Sequence, residues 1–441
     1  MDTMSIPHSP PPPRSVEETG LSLTFLADLA LKTMYTRGSL LGHEVADVLK
    51  LPFANVVDEV LDYLRRERLV EVKSSAAVSK SAYRYALLQK GHTRARELFN
   101  RSQYVGPAPV TLDVYTARVQ AQSLAGQLIT DEVLRHALAP LVLGDMLFDQ
   151  LGPAINSGKA VFLFGHTGNG KTTIAEAIGA ALPGEIWIPY VVTVDEQILR
   201  VFDARHHRTI AETTEPETRS GALRYLPSKG EHFDQRWGLI RRPLIAVGGE
   251  LTLKNLDLIF DPTTKLYEAP YQMKANGGVF LVDDLGRQRI RPRTLLNRWI
   301  VPLEKRVDHL NLAAGQKIDV PFDVRVIFAT NLKPEDLVDE AFLRRIRYKI
   351  SVPDPTWDEF REIFQREATK HSIPYSEDCL QYLIAEYYYK PQRQPRGVHP
   401  RDLLDGLLDL ARFRGIAPKM SKETIDLVCR SYFLKKPDDE M

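Results

Sequence analysis

The chain has 441 residues, more than one ordinary hydrophobic core, so two or three domains are expected. Its 44% hydrophobic and 26% charged residues are typical of a globular protein. A net charge of +1 excludes a strongly basic coat for nucleic acid but leaves room for a local basic patch. Two cysteines, Cys379 and Cys429, exclude a disulfide framework and offer no CxxC pair for zinc. No apolar run approaches the ~18 residues of a membrane span, and the N-terminus lacks the apolar core of a signal peptide. A cytoplasmic protein with buried thiols is expected.

Residues 1–18, MDTMSIPHSPPPPRSVEE, are proline-rich and predict a disordered or extended tail. From Leu21 the pattern turns compact. Phe25, Leu26, Leu29 and Ala30 are spaced for a helix, and GHEVADVLK gives a second. Pro52 opens a third, with Phe53, Val57, Val60, Leu61 and Leu64 on one face. LVEV and AYRYALLQ alternate as strands around the polar tip KSSAAVSKS, and HTRARELFNRSQ closes as a helix. Over residues 19–104 this order resembles a winged-helix domain. The outer face of its third helix carries Asn55, Asp58, Glu59 and Asp62, with Arg65, Arg66 and Arg68 only at the far end. A phosphate groove repels such a front, so docking on protein is favoured over DNA, although Lys73 and Lys80 at the tip could touch a backbone.

Past the linker YVGPAPVTLDVYTARVQ, the segment TDEVLRHALAPLVLGDMLFDQL reads as helical. From Ala160 to about residue 350, short apolar strands alternate with helices, which predicts a mainly parallel sheet covered on both faces. After Pro353 and Pro355 the pattern is helical. The expected fold class is α/β with a helical C-terminal lid, preceded by an α+β domain. The expected limits are 105–352 for the α/β domain and 353–441 for the lid.

The strongest motif is AVFLFGHTGNGKTT. A strand, Val161–Phe164, runs into Gly165, His166, Thr167, Gly168, Asn169, Gly170, Lys171 and Thr172, a full GxxxxGK[ST] match, and Thr173 continues into a helix. The glycines let backbone N–H groups wrap phosphate oxygens, Lys171 neutralises them, and Thr172 offers a hydroxyl to Mg²⁺. The helix that follows points its positive end at the anion. ATP with Mg²⁺ is the expected ligand. Downstream, KANGGVFLVDDLGRQ is an apolar strand ending in Asp283 and Asp284. Beside a phosphate loop, Asp283 fits the metal-ordering carboxylate and Asp284 stands where a base would handle the attacking water.

Together with VRVIFATN, DEAFLRRIRYKI and RGVHPRDLLDGL, these motifs resemble an AAA+ ATPase over about residues 125–430. The resemblance implies that Asn331 senses the γ-phosphate and that Arg344 or Arg345 reaches the ATP of a neighbouring subunit. It makes Arg401 the lid's sensor, and it implies a ring, most often of six subunits. The hairpin VDHLNLAAGQKIDV before the sensor strand resembles the clade with a hairpin inserted there. Within it, the look is of MoxR-type chaperones and of enhancer-binding activators, although the activators' GAFTGA loop is absent. Remodelling of a protein client is therefore expected, with two alternatives: a DNA-associated motor or regulator using the winged helix, and an ATP-gated scaffold that hydrolyses slowly.

The chain departs from these relatives in two places. Asp284 stands where they usually carry Glu, one methylene longer, and a base loses efficiency with small misplacement. Some seventy residues, about 204–273, precede the acidic strand and predict an insertion with its own helices and hairpin. His206 and His207 within it lack partners at metal-ligand spacing.

Overall fold

The computed structural model describes residues 9–74, 79–210, 233–313, 315–337 and 343–433. Contacts gather the chain into two units, each discontinuous in sequence. The first is Met1–Gln127, Leu182–Phe280 and Thr294–Arg325; the second is Leu128–Ala181, Leu281–Arg293 and Val326–Met441. Among the described residues no helix is long and apolar enough to cross a membrane.

The first unit begins with helices α1 (Leu23–Arg37), α2 (Gly42–Leu49), α3 (Asp58–Arg66) and α4 (Gln89–Arg101). With them lies an antiparallel sheet of β1 (Leu40–Leu41), β2 (Val70–Ser74) and β3 (Arg84–Leu87), in the order β1-β3-β2. Leu26, Leu29 and Ala30 of α1, Val45 and Leu49 of α2, and Val60, Leu61 and Leu64 of α3 share one core. The third helix starts later than its apolar pattern predicts. Ala54 is extended (φ −65°, ψ 131°) and Asn55 is left-handed (φ 62°), a conformation Asn tolerates better than most residues. Asn55 therefore does not belong to the helix face assigned to it. The polar tip lies partly outside the described residues; at its far end Lys80 donates to Asp62 of α3 at 2.7 Å.

The tail expected to be disordered or extended is packed from residue 9 onward, while residues 1–8 lie outside the described residues. Pro10, Pro13, Val16 and Thr19 are buried and those between them are not, a period of three that runs through the prolines into a 3-10 turn at Glu17–Thr19. Prolines limit what such a segment loses in entropy on docking. Its contacts are specific. The Asp234 N–H donates to the Pro10 carbonyl at 2.7 Å, and the buried Arg236 donates to the Thr19 carbonyl at 3.0 Å and to that of Pro109 at 3.2 Å. Asp234 in turn accepts from the Arg236 Nη2 at 2.8 Å, so the buried guanidinium is fully paired.

Further along, α5 (Leu112–Ala121) buries Tyr115 and Val119. A second sheet runs in the order 259–261, 266–268, 197–200, 191–194, 110–111, and strands Glu185–Pro189 and Trp237–Arg241 pair antiparallel. Of the expected insertion at 204–273, residues 211–232 lie outside the described residues. The remainder is strands and short turns built into these sheets rather than an appended helical module. The expected hairpin is present as Val307–Asn311 against Lys317–Pro321.

In the second unit, α6 (Asp131–Leu138) and α7 (Asp145–Asn156) precede α8 (Lys171–Ala181). The central sheet comprises β4 (Val161–Phe164), β5 (Leu244–Val247), β6 (Val279–Val282), β7 (Arg325–Thr330) and β8 (Tyr348–Ser351), ordered β5-β6-β7-β4-β8; β5 and the first half of β6 fall within the residue limits of the first unit. Strand β5 comes from within the stretch expected to be an insertion. Strands β7 and β8 both run parallel to β4, and every residue of β6 and β7 is buried, as continuous apolar runs require. Strand β7 lies between β4 and β6, so its C-terminal end emerges between the phosphate loop and the acid pair. Four helices follow: α9 (Trp357–Lys370), α10 (Glu377–Ile384), α11 (His399–Arg414) and α12 (Lys422–Tyr432). They pack around Phe360, Phe364, Leu380, Tyr388, Leu404 and Cys429. Burial pushes the Cys429 thiol up to about 12, so it is a packing group rather than a nucleophile.

Candidate nucleotide site

The site assembles within the second unit, at the C-terminal ends of parallel strands, where open α/β sheets place their ligands. The loop between β4 and α8 needs glycine for two separate reasons. At Gly165 (φ 150°) a Cβ would lie 2.2 Å from the Val352 carbonyl oxygen. At Gly168 (φ 88°) it would lie 2.5 Å from Val398, in the turn before the body of α11. Thr167 and Thr173 are exposed.

Lys171 is buried at the first position of α8. Its Nζ donates to the carbonyls of Gly165 (2.9 Å) and His166 (2.8 Å) and to the Asn331 Oδ1 (2.8 Å). Burial holds its pKa below the usual lysine value, against the opposing pull of Asp283 and Asp284. The Asn331 Nδ2 donates to the Asp284 Oδ1 at 3.0 Å, so lysine, asparagine and aspartate form one chain of hydrogen bonds. Alongside it, the Thr172 hydroxyl donates to the Asp283 Oδ2 at 2.7 Å. The structure thus brings Lys171, Thr172, Asp283, Asp284 and Asn331 together, as their motifs predict.

The acid pair sits on a constrained turn. Asp284 is left-handed (φ 49°), and its N–H donates to the Asp283 Oδ1 at 2.9 Å. Gln288 braces the turn: its Nε2 donates to the carbonyls of Asp283 (2.8 Å) and Asp284 (3.2 Å), and its Oε1 accepts from the Gly286 N–H (2.8 Å). The Leu285 N–H donates to the Ala329 carbonyl of β7, and the Thr330 hydroxyl donates to the Leu285 carbonyl at 2.7 Å. These bonds fix the spacing of the two strand ends.

On the other side, the loop meets the lid through residues that the sequence reading passed over. The Asn169 Nδ2 donates to the Asp354 Oδ1 at 2.7 Å, and the Asn169 Oδ1 accepts from the Gly397 N–H at 3.2 Å. Arg396 pairs with Asp354 and lies 2.8 Å from the His166 Nδ1. Burial raises the Asp354 carboxyl, but hydrogen bonds from Asn169 and Arg396 and the charge of Arg396 outweigh it, leaving it below the ordinary carboxylate range. Arg401, expected to be the lid's contact, is placed differently. It is exposed within the first turn of α11 and donates to the neighbouring Asp402 at 2.9 Å. The helix starts at His399, so Arg396 precedes its first turn and faces the loop. A sequence signal did exist: Asp354 stands between two prolines directly after the last core strand, and Arg396 adjoins the glycine that opens the lid segment. Arg344 and Arg345 are exposed just before β8.

Hydroxyl and carboxylate oxygens on Thr172 and Asp283 are hard donors suited to magnesium, which binds through one or two carboxylates with phosphate oxygens and water. Among the described residues no group of three or more His, Cys, Asp or Glu is placed to hold a metal ion.

A family described as a domain of unknown function, DUF8689, matches residues 356–431, the span of the lid helices. No curated protein matches the chain. Among solved structures, NtrX from Brucella abortus in complex with ATP overlaps with a TM-score of 0.40 and 14% identity, covering 66% of this chain and 56% of that one. The chain thus spans little more than half the length of that structure. The Holliday junction branch migration motor RuvB of Thermotoga maritima gives a TM-score of 0.36 and 15% identity, covering 69% and 70%. Overlaps this loose decide nothing about activity. The strand order β5-β6-β7-β4-β8, with a phosphate loop after β4, an acid pair after β6 and helices after β8, makes this an α/β fold with a phosphate loop and a helical C-terminal segment.

Proposed function

We propose that the chain binds Mg–ATP on the loop 165–173 and hydrolyses it. The observation that carries this is the hydrogen-bond chain Lys171–Asn331–Asp284 beside the Thr172–Asp283 pair. Lys171 neutralises phosphate oxygens, and Thr172 and Asp283 would hold the magnesium, which supplies charge neutralisation on the phosphates. Asp284 accepts the proton of the attacking water as its oxygen bonds to the γ-phosphorus and the bond to ADP breaks. Asn331 orients the Asp284 carboxylate and reports on the γ-phosphate side. Arg396 joins from the lid in place of Arg401, and Arg344 or Arg345 completes the site of a neighbour in a ring, six subunits by resemblance. The sequence-based domain limits, including a winged helix at 19–104, belong to this proposal, as does the cytoplasmic location.

Hydrolysis would move lid against loop, because Asp354, Arg396 and Gly397 lie directly on the loop's side chains. On the resemblance to MoxR-type chaperones, this motion remodels a bound protein; a DNA-associated role is the alternative. A slow, scaffold-like variant is favoured by one observation: the short Asp284 side chain is already engaged by Asn331. The test is magnesium-dependent phosphate release by the purified protein, with ATP binding measured separately. Lys171→Ala should lose nucleotide binding, and Asp284→Asn should keep it while turnover vanishes. Unchanged hydrolysis in Asp284→Asn would show that another group positions the water.

A further inference from the structure

Directly after the acid pair's turn, the chain carries Arg287, Arg289, Arg291 and Arg293. No Asp or Glu occurs from Leu285 to Leu303. All four arginines are exposed, while Gln288 between them is buried and Ile290 and Pro292 are half-buried. The segment thus turns its positive side chains outward and its other residues inward. Among the described residues none of the four guanidinium groups has a hydrogen-bond, ion-pair or aromatic partner. Arg298, a few residues on, behaves differently: it donates to Asp308 at 2.6 Å and to the Leu256 carbonyl at 3.1 Å. Four neighbouring like charges repel one another, and nothing in this segment offsets them. The segment is nevertheless held in place, because Gln288 ties it to the backbone carbonyls of Asp283 and Asp284.

We propose that residues 287–293 bind the phosphate backbone of a nucleic acid strand. A run of positive charge with no carboxylate among its arginines, or after them as far as Leu303, suits a ligand of repeated single negative charges. Every position is arginine and none is lysine, which suits the bidentate grip of a guanidinium on phosphate oxygens. No aromatic or large apolar side chain is exposed among the four, so the anchor that a protein interface is usually built around is missing. The proposal takes the DNA-associated alternative named above and gives it a contact surface. It rests on that reading for the coupling to ATP, through Gln288, and not for the binding itself.

The experiment is fluorescence anisotropy of a mixed-sequence single-stranded DNA oligonucleotide with the full chain across a salt series. Wild type and the quadruple variant R287Q/R289Q/R291Q/R293Q are compared, and binding of a fluorescent ATP analogue serves as the folding control. With about 0.7 of log–log salt slope per phosphate contact on a single strand, the variant should lose about 3 units of slope and at least ~10-fold in affinity at low salt. Its ATP-analogue binding should not change. Three outcomes overturn the proposal: no salt-dependent binding by wild type, a variant that keeps both slope and affinity, or polyglutamate binding as tightly as DNA, which would assign the segment to an acidic protein. Lys171→Ala separates the two readings. DNA binding without ATPase would sink only the hydrolytic proposal, and ATPase without DNA binding only this one.

Discussion

The two sides of the phosphate loop are built in different ways. On the strand side, Asn331 and Asp284 are placed by neighbouring strand ends held in register by the Leu285–Ala329 and Thr330–Leu285 hydrogen bonds, and Lys171 reaches them from the start of α8. On the lid side, Asp354 and Arg396 reach the loop from the chain beyond the sheet, and their side chains hold one another as much as they hold the loop. The strand side therefore has little freedom to rearrange, while the lid side is a set of exchangeable ion pairs. Chemistry belongs on the first and motion on the second.

That division can be broken or sharpened by substitution. Asp284→Asn should have the largest effect, lowering phosphate release by about 10²–10⁴-fold with ATP affinity unchanged, the contribution expected of a positioned base. Single-turnover measurements with a separate binding titration would check it. Asn331→Ala should come next, with turnover down roughly 10- to 100-fold, since it leaves both Lys171 and Asp284 without a neutral bridge. If it instead weakened ATP binding alone, the strand side would be a binding wall and not the reacting one.

Asp354→Ala should act on the lid side. Freed from its carboxylate, Arg396 becomes available to phosphate, and KM for ATP should shift by about 3- to 10-fold with a smaller change in kcat. A large loss in kcat at unchanged KM would erase the distinction between the two sides. The smallest effect is expected from Gly168→Ala, whose Cβ meets Val398 and whose backbone is left-handed. A loss of about 1 kcal/mol would lower Tm by roughly 2–4 °C. Val398→Ala in the same chain should recover only part of that loss, because relief of the contact leaves the backbone strain.

The strand side was legible in the sequence because its parts are local. A phosphate loop is a contiguous motif, and a carboxylate or amide at a strand end is signalled by the apolar run before it. The lid side was not, because His166 and Asp354 lie 188 positions apart and their pairing follows from how the lid helices dock. The resemblance points to Arg401 because a motif places a residue on a helix but does not say where that helix starts. Composition misled twice. The proline run at 9–18 has the residues of a disordered tail, yet buries one side in three. The stretch 204–273 has the length of an insertion, yet supplies β5 of the central sheet. The exposed arginines at 287–293 were overlooked because a net charge of +1 averages them away.

The docked proline segment has a consequence for how the chain comes to be folded. The Pro10 carbonyl is held by Asp234, 224 positions later (234 − 10). At a synthesis rate of about 5–20 residues per second, roughly 10–45 s pass between the emergence of the two. For that interval the Pro10 and Thr19 carbonyls lack the Asp234 and Arg236 groups that hold them, so this segment must wait on a part of the chain made more than two hundred positions later.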